Sequence, residues 1–310
     1  MAIPTNLSEE AGNMESQPAP PDVRWYTRVM RAFRQDPRLW FGVVLLVFVL
    51  AAIFAPFVSP YPPLLYHPAV ATQGPTLAHL LGTDALGRDQ LSRVIYGTRI
   101  SLSVGLITIL LGGVCGTLLG LIAAYFKGWV DQLITIVVDA LLSFPSLVLA
   151  LAIVAALGPS IINLALALAV VRIPIYARLA RGQTLQVTAQ DYVMSARAAG
   201  SRTPKILFRH ILPNIFSPLL VQATISISFA ILDESVLSFL GLGIQPPTPE
   251  WGTMINDAQV YLSTDPWMML GPALAIILVV ISLNLLGDAL RDRLDPRDYT
   301  RTSTISAEQA

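Results

Sequence analysis

The sequence predicts an all-α polytopic membrane protein with six transmembrane helices and both termini on the cytoplasmic side. Three observations predict it. Of 310 residues, 54% are hydrophobic and only 13% charged, against roughly 25% charged in a soluble domain. Six apolar stretches come near or exceed the roughly 20 residues that a helix needs to cross a hydrocarbon core about 30 Å thick. The 20 Lys and Arg are also unevenly shared among the connecting segments, and that bias orients the chain.

Taken in order, residues 1–23 are rich in Pro, Ser, Asn and Glu, a composition that predicts a disordered cytoplasmic tail. In residues 24–38 and just beyond, Trp25, Val29, Phe33 and Trp40 punctuate arginines at near-helical spacing, which suits an interfacial helix. The first span, 39–58, begins too deep in the chain for a cleavable signal and reads as an anchor. Residues 59–99 form an outer segment that opens with Pro60, Pro62, Pro63 and Pro68, which preclude a helix there. The core domain, 100–290, then holds spans 100–125, 133–157, 161–177, 217–242 and 267–286. A cytoplasmic tail, 291–310, closes the chain. Within this layout Arg24, Arg28, Arg31, Arg34, Arg38, Lys127, the basic residues from Arg178 to Arg209 and those from Arg291 to Arg301 are cytoplasmic, whereas Arg88, Arg93 and Arg99 are outside.

Gly112, Gly116 and Gly120 in the second span repeat every four residues, a spacing that lets helices approach closely. A seam within the subunit is the simpler reading, with a contact to a partner as the alternative. Pro145 and Pro174 sit inside the third and fourth spans, where kinks are expected.

Charges inside spans cost about 2.5–3.5 kcal/mol each, so each needs a reason. Asp139 and Arg172 lie at matched depth, about 9 Å from the cytoplasmic face at about 1.5 Å per residue, which favours a structural Asp139–Arg172 ion pair over separate snorkelling of each to the interface. Asp233 and Glu234 have no base at their depth in this layout. Either they line a water-filled path and meet the cationic end of a substrate, or they hydrogen-bond to a neighbouring helix with one acid protonated.

Several chemistries are excluded. The equal numbers of acidic and basic residues give a net charge of +0, so no field draws the chain to nucleic acid. Cys115 is the sole cysteine, and His67, His79 and His210 are scattered, so no metal site or disulfide is expected. No Gly-x-x-x-x-Gly-Lys-Ser/Thr phosphate loop occurs, so the chain supplies no ATPase. No span contains a histidine, which argues against an intramembrane hydrolase. A proton-driven secondary transporter would use Asp233 and Glu234 but would leave the longest inner loop, 182–214, unexplained.

That loop reads as two short helices. Asp191 to Ala199 is helical and stopped by Gly200, which can take the left-handed conformation. Thr203 and Pro204 look like a cap and first position, and Pro213 is expected to break the run that follows. The result is either a docking knob for a cytoplasmic partner or a solvated connector.

Gly200, nine residues and then His210-Ile211-Leu212-Pro213 resemble the "EAA" loop of bacterial ABC-importer permeases. Three further segments narrow the resemblance to the C-type subunit of dipeptide/oligopeptide/nickel permeases: LGTDALGRDQLSRVIYGTRISL at 81–102, SFLGLGIQPPTPEWG at 238–252 and GDALRDRLDPR at 287–297. The loop departs from the pattern at Met194, where an acid is usual, and at His210, where the motif has Ile. The resemblance implies a type I ABC importer (MetI-like) permease fold in a bacterial inner membrane. It implies that Ala196, Ala199, Gly200, Ile206, Phe208, Leu212 and Pro213 couple to a separate ATPase, which holds the ATP and Mg. The implied partners are a second, homologous permease subunit, two ATP-binding subunits and an extracytoplasmic solute-binding protein. Peptides are the expected cargo, with nickel chelates, glutathione or oligosaccharides as alternatives.

Overall fold

The computed structural model describes residues 37–294, and the expected tail 1–23, most of segment 24–38 and residues 295–310 lie outside them. The described chain is helical: α1 Leu39–Ile53, α2 Ala55–Val58, α3 Gln90–Phe126, α4 Gly128–Leu142, α5 Ser146–Leu157, α6 Ile161–Thr188, α7 Asp191–Ala198, α8 Thr203–Phe239, α9 Trp251–Ala258 and α10 Trp267–Leu294. Two 3₁₀ turns, Pro68–Val70 and Gln259–Tyr261, complete it.

Four of these helices, α3, α6, α8 and α10, are long and apolar enough to cross a membrane, or five spans exist if α4 and α5 are counted as one. The expectation of six spans is therefore met only in part. The first span is shortened to the 15-residue α1, about 22 Å long at about 1.5 Å per residue, followed by a break at Phe54. The third is not one helix: α4 and α5 meet at 90°. Pro145 causes this, because it cannot donate to the preceding turn and disfavours helical geometry at Phe144. Ser143 covers the exposed end of α4 by donating from its hydroxyl to the Asp139 carbonyl at 2.8 Å.

Pro213 does not break its run. The chain passes from Thr203 to Phe239 without interruption, and a π turn at Ile206–Ile211 lies just before the proline. A widened turn relieves the clash between the pyrrolidine ring and the preceding carbonyl. Pro174, Pro218 and Pro272 are likewise carried inside α6, α8 and α10.

The most extensive contact is between α3 and α6. A Cβ at Gly112 would meet the Ala169 carbonyl oxygen at 2.6 Å, and one at Gly116 the Tyr176 Cβ at 2.7 Å. One at Gly120 would meet the Ala180 Cβ at 2.8 Å. The glycine repeat is thus a seam within the subunit. The opposite face of α3, with Leu106, Leu110 and Val114 each more than half exposed, points away from the bundle. The core falls into three clusters. One gathers Tyr176, Val193, Ile206, Ile211 and Ile215 beside the α7 end. A second, central cluster holds Val104, Leu164, Leu168 and Leu237. The third surrounds Trp251, with Ile231, Met254 and Val279.

Candidate functional site: the α7–α8 loop and the buried charges

The loop between α6 and α8 is built as the sequence suggests. Gly200 has φ +75°, and the Ser201 and Gly200 amides donate to the Ala196 and Arg197 carbonyls at 3.1 and 3.0 Å. This pair of bonds closes a helix end around a left-handed residue. A Cβ at Gly200 would meet nothing within 4 Å, so glycine is required there by conformation and not by space. Thr203 is the first residue of α8 and not its cap. That position falls to Arg202, with Pro204 in the first turn. The Arg197 guanidinium stacks 5.1 Å from the Tyr125 ring, and the Tyr125 hydroxyl donates to Thr203 at 3.4 Å. Both contacts fix the loop to the end of α3.

Of the residues singled out in the sequence, Ile206 is 1% exposed and packs with Val193, Ile211 and Ile215, with Leu212 against them. They brace the loop from within. Ala199, Gly200, Phe208 and Pro213 are exposed and Ala196 is half-buried. Tyr192 and Met194 join this surface, exposed by about half. The sequence marks Met194 only as a departure from the acid usual there, and nothing in it singles out Tyr192.

The predicted Asp139–Arg172 pair does not form. Asp139 accepts from Arg178 at 2.7 Å on an exposed surface, while Arg172 pairs with Asp233 on α8 and lies 5.9 Å from the Phe229 ring. Matched depth along each span left out the 90° turn between α4 and α5. With that turn in place and α6 drawn onto α3 by the glycine seam, Arg172 faces α8. Asp233 therefore has a base within reach after all. It stands on one face of α8 with Gln222 and Ser226, which bond to each other at 3.0 Å, since positions 222, 226 and 233 recur close to the helical period. The Gln222 end of this face opens into a crevice of about 730 Å³ between α6, α8 and α10, lined also by Gln183, Gln186 and Arg291.

Glu234 does not line a path: it is 0% exposed. Its neighbour is Glu250, the N-cap of α9, whose two carboxylate oxygens accept from the Gly252 and Thr253 amides at 2.5 and 2.9 Å. Burial pushes the Glu250 carboxyl above the usual carboxylate range, and the two amide bonds oppose that shift.

Residues 82–89 form a compact turn that sequence reading recognised only as a motif. Asp84, 4% exposed, accepts from the Leu86 and Arg88 amides at 2.9 Å each and from the Arg88 Nε at 2.5 Å. The Arg93 Nε lies 3.6 Å away. Gly87 (φ +73°) leaves no room for a side chain against the His67 carbonyl, and Asp89 caps α3 by accepting from Ser92 at 2.8 Å. The density of Gly, Asp and Arg in this run was the signal of a buried charge cluster.

The chain is similar to several known proteins. Residues 116–297 match the family described as binding-protein-dependent transport system inner membrane component, and residues 24–78 match the N-terminal transmembrane domain of oligopeptide transport permease C. The dipeptide transport system permease protein of Alkalihalophilus pseudofirmus is 43% identical over 90% of this chain and 94% of its own length. The di/tripeptide transport system permease protein of Pseudomonas aeruginosa is 47% identical over 82% and 86%. The glutathione transport system permease protein of Pectobacterium atrosepticum is 43% identical over 88% and 91%. A solved chain from an amino acid ABC transporter with histidines superposes with a TM-score of 0.49 at 16% identity, over 65% of this chain and 94% of that one.

Proposed function

This chain belongs to the family of binding-protein-dependent transport system inner membrane components, and on that premise we propose that it forms half of the translocation pathway for di- and tripeptides in an ATP-driven importer. The carrying observation is the capped α7–α8 loop, which presents Tyr192, Met194 and Phe208 at the root of a helix that runs without interruption to Phe239. An apolar knob held by its own core, and continuous with a spanning helix, suits a groove on a separate ATPase. Movement of that groove would then reach the membrane through backbone and not through a flexible linker.

A second, homologous permease subunit would complete the pathway, two ATP-binding subunits would drive it and an extracytoplasmic binding protein would deliver substrate. The bias of Lys and Arg among the connecting segments supports an orientation with the α7 end in the bacterial cytoplasm and the α9 end outside. Within the pathway, the Arg172–Asp233 pair offers both charges of a zwitterionic peptide a complementary partner, and the amides of Gln183, Gln186 and Gln222 give it a polar exit. Glutathione is the second reading, supported by a glutathione permease relative as similar as the dipeptide one.

Uptake of labelled dipeptide, tripeptide and glutathione by cells lacking this chain, compared with cells restored with it, tests the proposal. A Gly200→Pro version runs in parallel. Peptide uptake should return with the wild type and stay absent with the variant at equal membrane abundance. Restoration of glutathione uptake alone would replace the cargo, and equal restoration by both versions would refute coupling through the loop.

A further inference from the structure

Glu234 is the most deeply buried acid of the spanning helices, and nothing in the pathway reading uses it. One of its oxygens, Oε1, has no hydrogen-bond partner, and the buried hydroxyls of Ser101 on α3 and Ser238 on α8 stand beside Glu234 and Glu250. The remaining oxygen accepts from Ser235 at 3.4 Å. Glu250 is also 0% exposed and lies beside Glu234.

The charge balance at this site is decisive. Two ionised carboxylates side by side in an apolar interior repel each other and have both lost their hydration. Arginines could neutralise them, but Arg88 and Arg93 turn to Asp84, and Arg172 turns to Asp233. Arg99 is exposed on α3. From α8 the facing groups are Ser235 and Ser238, and from α9 Glu250 and Thr253; Asp257 interacts instead with Arg93 and Arg88. Leu39–Ile53 contributes no charged residue. The site must therefore hold a proton or a small cation.

The two acids are not equivalent. Both oxygens of Glu250 already accept backbone amides, bonds that favour its ionised form. Glu234 has an oxygen with no donor, which a hydroxyl would convert into a donor.

We propose that Glu234 is a neutral carboxylic acid whose hydroxyl donates to the Glu250 carboxylate, and that this bond latches the segment 243–258 onto α3 and α8. The surrounding packing is that of a fixed joint. Trp251 is fully buried and donates from its Nε1 to the Val94 carbonyl at 3.1 Å. A Cβ at Gly97 would meet its ring at 2.8 Å, and one at Gly252 would meet the Ser235 Cα at 2.8 Å. Asn256 donates to the Phe239 carbonyl at 2.6 Å, at the end of α8. The site is thus a proton-binding site that joins the outer segment to the helix carrying the coupling loop at its other end.

The test uses the full-length chain in lipid nanodiscs. Glu234→Gln keeps the shape and supplies a permanent N–H donor, so it should fold and keep the wild-type thermal midpoint at acidic pH, while Glu234→Ala should lower it. The folded wild type keeps a proton that the unfolded chain releases, so its midpoint should fall as pH rises, and the Gln variant should show a shallower slope. In infrared spectra the wild type should carry a protonated-carboxyl band, sensitive to deuterium exchange, that Glu234→Gln lacks. A Gln variant that fails to fold, or parallel pH slopes, or no such band, would overturn the proposal. So would a wild-type midpoint that rises when sodium replaces choline at constant ionic strength and a Gln variant insensitive to the exchange, because a bound cation would then be the ligand.

Discussion

Gly116→Ala isolates the seam on which the bundle is built. A methyl group at this position would stand 2.7 Å from the Tyr176 Cβ and 3.1 Å from the Ala177 amide nitrogen, and closer still to the Ile173 carbonyl oxygen. Two of these three neighbours are backbone, so no side chain can rotate away, and α3 and α6 must separate by about 1 Å to restore ordinary contact at roughly 3.5–4.0 Å. Overpacking of this kind costs about 1–3 kcal/mol. The backbone obstruction places Gly116→Ala near the upper end, about 3 kcal/mol or more than a hundredfold in the folding equilibrium. Against this stands only the gain in helix propensity of about 1 kcal/mol for Ala over Gly. Gly182 supplies the control, since it lies in the same α6 and a Cβ there would meet nothing within 4 Å. Gly182→Ala should therefore raise the thermal midpoint of the purified protein, while Gly116→Ala should lower it and reduce membrane abundance. Equal midpoints for the two variants would refute the claim that close approach of α3 and α6 sets the stability of the subunit.

Three other perturbations follow from the same geometry. Asp84→Asn strips the counter-charge from Arg88 and Arg93, both at most 5% exposed, and breaking a buried pair in this way costs about 3–5 kcal/mol; the protein should be lost from membranes, as measured by immunoblot and size-exclusion chromatography. Arg172→Met or Asp233→Leu alone should destabilise by a similar amount of about 3–5 kcal/mol, whereas the double variant, with no charge left unpaired, should recover the thermal midpoint yet fail in peptide uptake. Gly200→Ala must adopt φ +75° at a cost of about 1–2 kcal/mol. Uptake should drop more than the midpoint does, and Gly200→Asn, which tolerates that conformation better, should retain more of both.

The long helices were legible because their signal is compositional. Apolar runs of span length and a bias of basic residues survive any rearrangement of packing, and the Gly200 stop and the glycine seam each follow from a single residue type. What the sequence concealed was relational. Pro145 announces a bend, but only the fold decides that the bend reaches 90°, and that angle undid the depth comparison on which the Asp139–Arg172 pairing rested. Pro213 announces a break, but the π turn at Ile206–Ile211 absorbs it, and no residue in Ile-Leu-Phe-Arg-His-Ile marks the widened turn. Glu234 and Glu250 are sixteen positions apart, and neither helical nor strand periodicity brings them together. Their contact depends on α9 folding back between α3 and α8, which Gly97, Gly243 and Gly252 allow by leaving no side chains in the way.

The placement of these features along one helix has a mechanical consequence. Thr203–Phe239 holds 37 residues, which at about 1.5 Å each make a rod of about 55 Å, well beyond a hydrocarbon core of about 30 Å. Phe208 of the proposed docking surface lies in its first two turns, Arg172 meets it at Asp233 and the proposed latch holds it at Glu234. A rod gripped at both ends cannot be displaced at one end alone. Either it tilts as a body and carries the segment 243–258 with it, or it yields where its hydrogen bonding is already weakened. The structure provides two such places, the π turn before Pro213 and the missing bond at Pro218, and both lie at the α7 end, ahead of Asp233 and Glu234. Beyond Pro218 the helix is unbroken as far as the latch. Displacement that exceeds what those two joints absorb therefore arrives together at the Arg172–Asp233 pair and at the Glu234–Glu250 joint, so that under the proposed coupling the α7–α8 loop and the segment 243–258 are the two ends of one lever.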